Sequence, residues 1–129
     1  MIVLAPISVG ELIDKITILE IKLKNITDPV KLENISIELM QLNRIQKESL
    51  EMNHELMKLK EKLYIVNQEL WFIENLKRSC EAKLSFDKDF IAAARNVYLK
   101  NDTRAMIKRK INILTGSDII EEKSYNTVI

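Results

Sequence analysis

From Met52 to Leu84, apolar residues recur at steps of three and four: Met52, Leu56, Leu59, Leu63, Val66, Leu70, Ile73, Cys80 and Leu84. Lys77 is the one interruption. A repeat averaging about 3.5 residues keeps all of these side chains on one side of an α-helix. A second stripe lies beside the first: Leu50, Met57, Tyr64 and Trp71, each seven residues from the last. A helix with two apolar flanks needs two partners. The stretch from Ile45 to Leu84 therefore predicts the central helix of a bundle rather than half of a two-stranded coil.

The rest of the chain fits an all-α architecture. Two glycines and two prolines among 129 residues leave few places to turn, which favours long helices over a many-stranded sheet. A length of 129 residues with 47% apolar and 30% charged side chains suits one helical domain spanning 1–129 with a real core. Met1 to Ile7 reads as a short extended segment, broken at Pro6. Ser8-Val9-Gly10-Glu11 matches a capping box: the Ser8 hydroxyl accepts from the Glu11 N–H while the Glu11 carboxylate reaches back. Leu12, Ile16, Leu19, Leu23 and Ile26 then place a helix over about 9–26, broadened by Ile13, Ile18 and Ile21. Asp28-Pro29 starts another over about 30–47 on Leu32, Ile35, Leu39 and Leu42. A phase slip at Ile45 and the polar run Gln46 to Ser49 predict a turn between about 46 and 53, with one continuous helix as the alternative. With the turn, the second helix and a third over about 51–84 form an antiparallel pair.

Asp87 caps a fourth helix over about 88–100. If that helix ran on unbroken, Asn101, Arg104 and Lys108 would fall on the Phe90–Ala94–Val97 stripe. Either a break near Asn101 and Asp102 starts a fifth helix over about 103–115, or a polar, cationic strip faces an acidic partner. Gly116 ends the run. Glu121 to Tyr125 forms a polar tail. The whole is an antiparallel bundle of four to five helices around one long central helix.

The composition narrows function mainly by exclusion. A net charge of +1 argues against bulk binding to nucleic acid or to an anionic membrane. No apolar run reaches the roughly 20 residues of a membrane span, and no charged leader precedes the first helix. Cys80, the sole cysteine, sits on the main apolar stripe and reads as a buried, inert thiol in a cytoplasmic protein. Two glycines build neither a P-loop nor a dinucleotide fingerprint. Glu51-x-x-His54 has di-iron spacing, but those bundles need two such motifs and His54 is the only histidine. Glu11-x-x-Asp14 and Glu48-x-x-Glu51 have the spacing of magnesium-holding carboxylates, a pattern that also arises readily in a chain this charged. The sequence predicts no metal site and no cofactor.

One cluster carries more information. Arg95, Lys100, Arg104, Lys108, Arg109 and Lys110 fall within sixteen residues, with Asp102 as the only acid among them. Such a face can pair internally with Glu11 and Asp14 or with Glu121 and Glu122. It can also hold a phosphate or carboxylate, which arginine grips with two parallel hydrogen bonds. Nucleic acid through Arg104, Lys108, Arg109 and Lys110 is disfavoured: only Tyr98 is near to stack on bases.

Three blocks resemble a family of all-helical bacterial and phage proteins without an assigned activity. They are Ser8 to Lys22, Asn101-Asp102 through Arg104 and Lys108 to Asn112, and Glu121-Glu122-Lys123-Ser124-Tyr125. The resemblance implies a complete unit and supplies no catalytic residues. Its relatives usually carry proline where this chain has Val9. It draws attention to polar residues that packing does not demand: Glu11, Asp14 and Lys15; Asn101, Asp102, Arg104 and Lys108; Glu121, Glu122, Lys123 and Tyr125. Two expectations follow. One is a non-enzymatic helical interaction module, forming a homodimer or meeting a protein partner. The other is a pocket for a small anion, in which those three blocks converge.

Overall fold

A computed structural model describes residues 1–124. Four helices follow an exposed, extended arm: α1 (Val9–Asn25), α2 (Pro29–Ser49), α3 (His54–Ala82) and α4 (Lys88–Thr115). Each start is capped by a side chain the sequence supplies. Ser8 Oγ accepts from the Glu11 N–H at 3.1 Å and Asp28 Oδ1 from the Val30 N–H at 3.2 Å. Asn53 Oδ1 accepts from the Leu56 N–H at 2.9 Å and Asp87 Oδ1 from the Asp89 N–H at 3.1 Å. These bonds satisfy N–H groups that have no partner within their own helix. The chain breaks between Ser49 and His54, so α2 and α3 are separate helices.

The fifth helix is not a separate element. α4 runs unbroken through Asn101 and Asp102 to Thr115, where 88–100 and 103–115 were expected as two. Arg104 and Lys108 on its seam are paired with carboxylates, described below, and the helix continues through Asn101. α4 ends in a Schellman turn: Ser117 N–H donates to Asn112 O at 2.9 Å and Gly116 N–H to Ile113 O at 3.3 Å. Gly116 adopts φ 67°, open to glycine without steric penalty. α3 closes in the same way with Leu84 at φ 52°, where its Cβ is strained.

Two apolar clusters meet on α1. Ile13 packs with Leu56, Leu63 and Val66 of α3 and Ile107 and Ile111 of α4. Leu12, Ile16 and Leu19 pack with Ile35 and Leu39 of α2. α1 thus contacts all three other helices. α3 is the longest element, but its close packing is with α1 and α4; α2 packs on α1 and meets α3 through the hydrogen bond from Lys60 Nζ to Gln46 Oε1 at 3.1 Å. The expected pairing of α2 with α3 is therefore replaced by α2 on α1 and α3 on α4. The reason lies in α1: its isoleucines and leucines fall on more than one side of the helix, with Ile13 toward α3 and α4 and Leu12, Ile16 and Leu19 toward α2, so it buries two faces. On α3 the second stripe is incompletely covered, with Tyr64 and Trp71 half-buried and Met57 exposed.

Helix lengths set the shape. At about 1.5 Å per residue α1 spans roughly 25 Å and α3 and α4 just over 40 Å. α3 and α4 fold back on each other through the turn at 83–87, with Lys100 paired to Glu69. No helix among the described residues is long and apolar enough to cross a membrane.

Candidate functional site

The polar residues of α1, α3 and α4 converge on Asp14. Its carboxylate is 1% exposed, inside the α1–α3–α4 contact. Oδ1 accepts from Arg104 Nε at 2.9 Å and from Asn67 Nδ2 at 2.8 Å. Oδ2 accepts from Arg104 Nη2, which completes a two-pronged grip. Asn67 Nδ2 also donates to Thr17 Oγ1 at 2.9 Å, and Thr17 Oγ1 donates to the Asp14 carbonyl at 2.8 Å. Every buried side-chain oxygen and nitrogen among the described residues has a partner. A buried charge is tolerated when its lone pairs are filled in this way. The Asp14 hydrogen bond raises the Arg104 pKa further, against the opposing pull of burial, so the guanidinium stays charged.

One turn along α4, Lys108 is buried among carboxylates. Its Nζ lies 2.7 Å from Glu11 Oε2, 3.4 Å from Glu121 Oε2 and 3.9 Å from Asp14 Oδ2. The Glu11 carboxylate is thus engaged by Lys108 rather than turned back as the second half of a capping box. Glu121 also pairs with Lys123 Nζ at 2.7 Å, and Arg109 Nη1 with Glu122 Oε1 at 2.7 Å. The Lys123 hydrogen bond, and then Lys108, hold the Glu121 carboxyl below the usual range. Arg104, Lys108 and Arg109 of α4 are therefore paired with both ends of the chain, with Glu11 and Asp14 and with Glu121 and Glu122. Of the four residues considered for nucleic acid, Arg104, Lys108 and Arg109 are committed to these carboxylates.

Close helix contact makes this possible. The Gly10 N–H donates to Asn112 Oδ1 at 2.6 Å and the Val9 N–H to Ser117 Oγ at 3.2 Å. A Cβ on Gly10 would lie 2.6 Å from the Lys108 carbonyl oxygen and 2.9 Å from Asn112 Oδ1. Glycine is required here for approach, not for an unusual φ. The start of α1 is consequently fastened to the end of α4.

The other expected site residues fall around this centre or away from it. Asn101, Arg104, Ala105, Lys108, Glu121 and Lys123 line a cavity of ≈ 260 Å³. Asp102 is buried on α4 beside it. Lys15 is exposed and borders a different groove, between the N-terminal arm and α2. Tyr125 lies outside the described residues. His54 opens α3 and lines a shallow groove with Met52, Met57 and Tyr64, and Glu51 is exposed in the connection before it. Asn67 and Thr17 were not among the expected site residues. Asn67 and Thr17 had a faint signal, since each is a polar residue bordering an apolar stripe.

Among the described residues, the all-helical fold and the buried ionic key define a structural class. The chain belongs to a family of unknown function, DUF6165, whose model matches residues 3–129. No curated protein and no solved structure matches it.

Proposed function

We propose that this protein is a non-enzymatic helical assembly module that acts in the cytoplasm as a homodimer. In this reading two copies join along the far halves of α3 and α4, as a coiled-coil-like antiparallel bundle. One observation carries it: between Asn67 and Asp102 the only buried side chains are Cys80 and Ala93. That stretch is most of the hairpin's length beyond α1. A pair of helices without a third layer buries too little to be stable in water.

The hairpin carries what a partner would cover. Ile65, Phe72 and Leu76 follow one another at seven and four residues on α3, with Phe72 58% exposed. Ile91 and Tyr98 lie seven apart on α4, with Ile91 56% exposed. At the tip Phe86 and Phe90 stack edge to face at 5.3 Å, and Phe86 remains exposed. A second copy suits this face in charge. Glu69, Glu74, Glu81, Asp87 and Asp89 are interspersed with Lys77, Arg78, Lys83, Lys88, Arg95 and Lys100. Two such arms meet without a block of like charge, as closed two-fold contacts require.

Sedimentation velocity from 1 to 100 µM tests this. The expected species has twice the 15.0 kDa chain mass. Phe72→Glu, which leaves the α1 clusters untouched, is expected to give a folded monomer. A wild-type monomer throughout that range overturns the proposal.

A further inference from the structure

The cavity beside Lys108 carries an inference independent of assembly. Three cations, Arg104, Lys108 and Lys123, border it with the Asn101 amide, against one carboxylate, Glu121. We propose that this cavity binds a small tetrahedral oxyanion of the phosphate or phosphate-monoester class, with Glu121 as the internal occupant that the ligand displaces.

Glu121 is the exchangeable member of the set. Glu11 is held on α1 and lies 2.7 Å from Lys108 Nζ, whereas Glu121 lies at 3.4 Å on a non-helical tail and its side chain is 40% exposed. Asp14 is locked by three hydrogen bonds and cannot leave. The tail is anchored on the near side, where Ser117 Oγ accepts from the Val9 N–H. The Glu121 side chain can therefore turn outward while the Arg109–Glu122 pair holds the tail and keeps Lys123 at the cavity. Removing the Glu121 carboxylate takes one negative charge from a cavity bordered by three cations. Asp14 and Glu11 still face Arg104 and Lys108 from α1, so the loss leaves an excess of one positive charge, which a bound oxyanion neutralises.

The donor geometry selects the ligand shape. A planar carboxylate is best gripped by the two-pronged edge of arginine, and that edge of Arg104 is already given to Asp14. What faces the cavity is instead two ammonium groups, an amide and the outer part of a guanidinium, arriving from separate elements. Point donors from several directions suit a tetrahedral oxyanion, and ammonium groups are well matched to phosphate. A cavity of ≈ 260 Å³ admits a phosphate with a small substituent.

Isothermal titration calorimetry at constant ionic strength, with inorganic phosphate and separately with phenyl phosphate, tests this. Saturable binding of inorganic phosphate is expected. Glu121→Gln is expected to tighten it about fivefold, because an internal competitor worth one exposed ion pair is gone. Lys123→Met is expected to weaken it at least as much. Glu122→Gln, whose partner is Arg109, leaves it unchanged. Tighter binding of phenyl phosphate assigns the site to phosphate monoesters, and equal or weaker binding assigns it to free phosphate. The absence of saturable heat up to the order of 10 mM, or saturation that Glu121→Gln does not tighten, overturns the proposal. Far-UV circular dichroism verifies that each variant is folded; Glu121 is exposed, so folding is expected to survive its replacement.

Discussion

Replacing Asp14 by alanine removes the acceptor that ties three helices together. The carboxylate receives two bonds from Arg104 and one from Asn67, and its side chain is 1% exposed. Removing one member of a buried ion pair typically costs about 3–5 kcal/mol, because the other charge is stranded. The Arg104 side chain is 28% exposed, so water recovers part of its solvation. Asn67 keeps its 2.9 Å bond to Thr17. The expected loss is therefore about 2–4 kcal/mol, the lower part of the range after that discount. Urea unfolding followed by far-UV circular dichroism, at one fixed protein concentration, measures it. The pairwise part is separated by a double-mutant cycle with Arg104→Met, in which the two losses should fall short of adding by about 1–3 kcal/mol. A loss below about 1 kcal/mol for Asp14→Ala, or additivity within about 0.5 kcal/mol, refutes the idea that this pair keys α1 to α4.

Other perturbations follow from single geometric facts. Gly10→Ala places a Cβ against the Lys108 carbonyl oxygen at 2.6 Å and is expected to cost about 1–3 kcal/mol in the same unfolding assay. An unchanged midpoint would show that α1 and α4 can separate freely. Leu84→Gly relieves a left-handed residue whose side chain is 75% exposed, and is expected to raise stability by about 1 kcal/mol. A drop in Tm would contradict the strain. Lowering pH should release the tail. The Glu121 carboxyl titrates below the unfolded value of about 4.3, so its contact with Lys108 and Lys123 contributes above that value and is lost as pH falls through the depressed one. Nuclear magnetic resonance of the lysine Nζ groups follows this loss, and a release complete already at pH 6 would contradict it.

Much of the fold was readable because helices announce themselves locally. Ser8, Asp28, Asn53 and Asp87 are caps whose bonds reach two or three residues along the chain. The break between Ser49 and His54 is written in a phase slip at Ile45. Partner choice was not local in the same sense. Tyr64 and Trp71 suggested that α3 was a helix with two partners, and it packs on α1 and α4; α1 goes further and contacts all three other helices, with Ile13 on one face and Leu12, Ile16 and Leu19 on the other. Stripe counting ranks a long helix above a short one; packing rewards the helix whose apolar residues fall on more than one face. The run from Asn101 to Lys108 read either as a break or as an unbroken helix turning a cationic strip toward an acidic partner. The helix is unbroken and its strip meets carboxylates of the same chain, Asp14 and Glu11 at separations of 90 and 97 residues and Glu121 at only 13. Asn67 shows the same limit: nothing near it in sequence marks the carboxylate it serves.

The far halves of α3 and α4 remain the part of the molecule that most needs a neighbour. Isotope-filtered nuclear Overhauser measurements on a mixture of labelled and unlabelled protein read contacts between copies directly. Cross-copy signals are expected from the rings of Phe72 and Tyr98 and the methyl groups of Leu76 and Ile91. Their absence at concentrations where two copies associate, or their appearance only at the N-terminal arm from Met1 to Ile7, would contradict a dimer built along this hairpin.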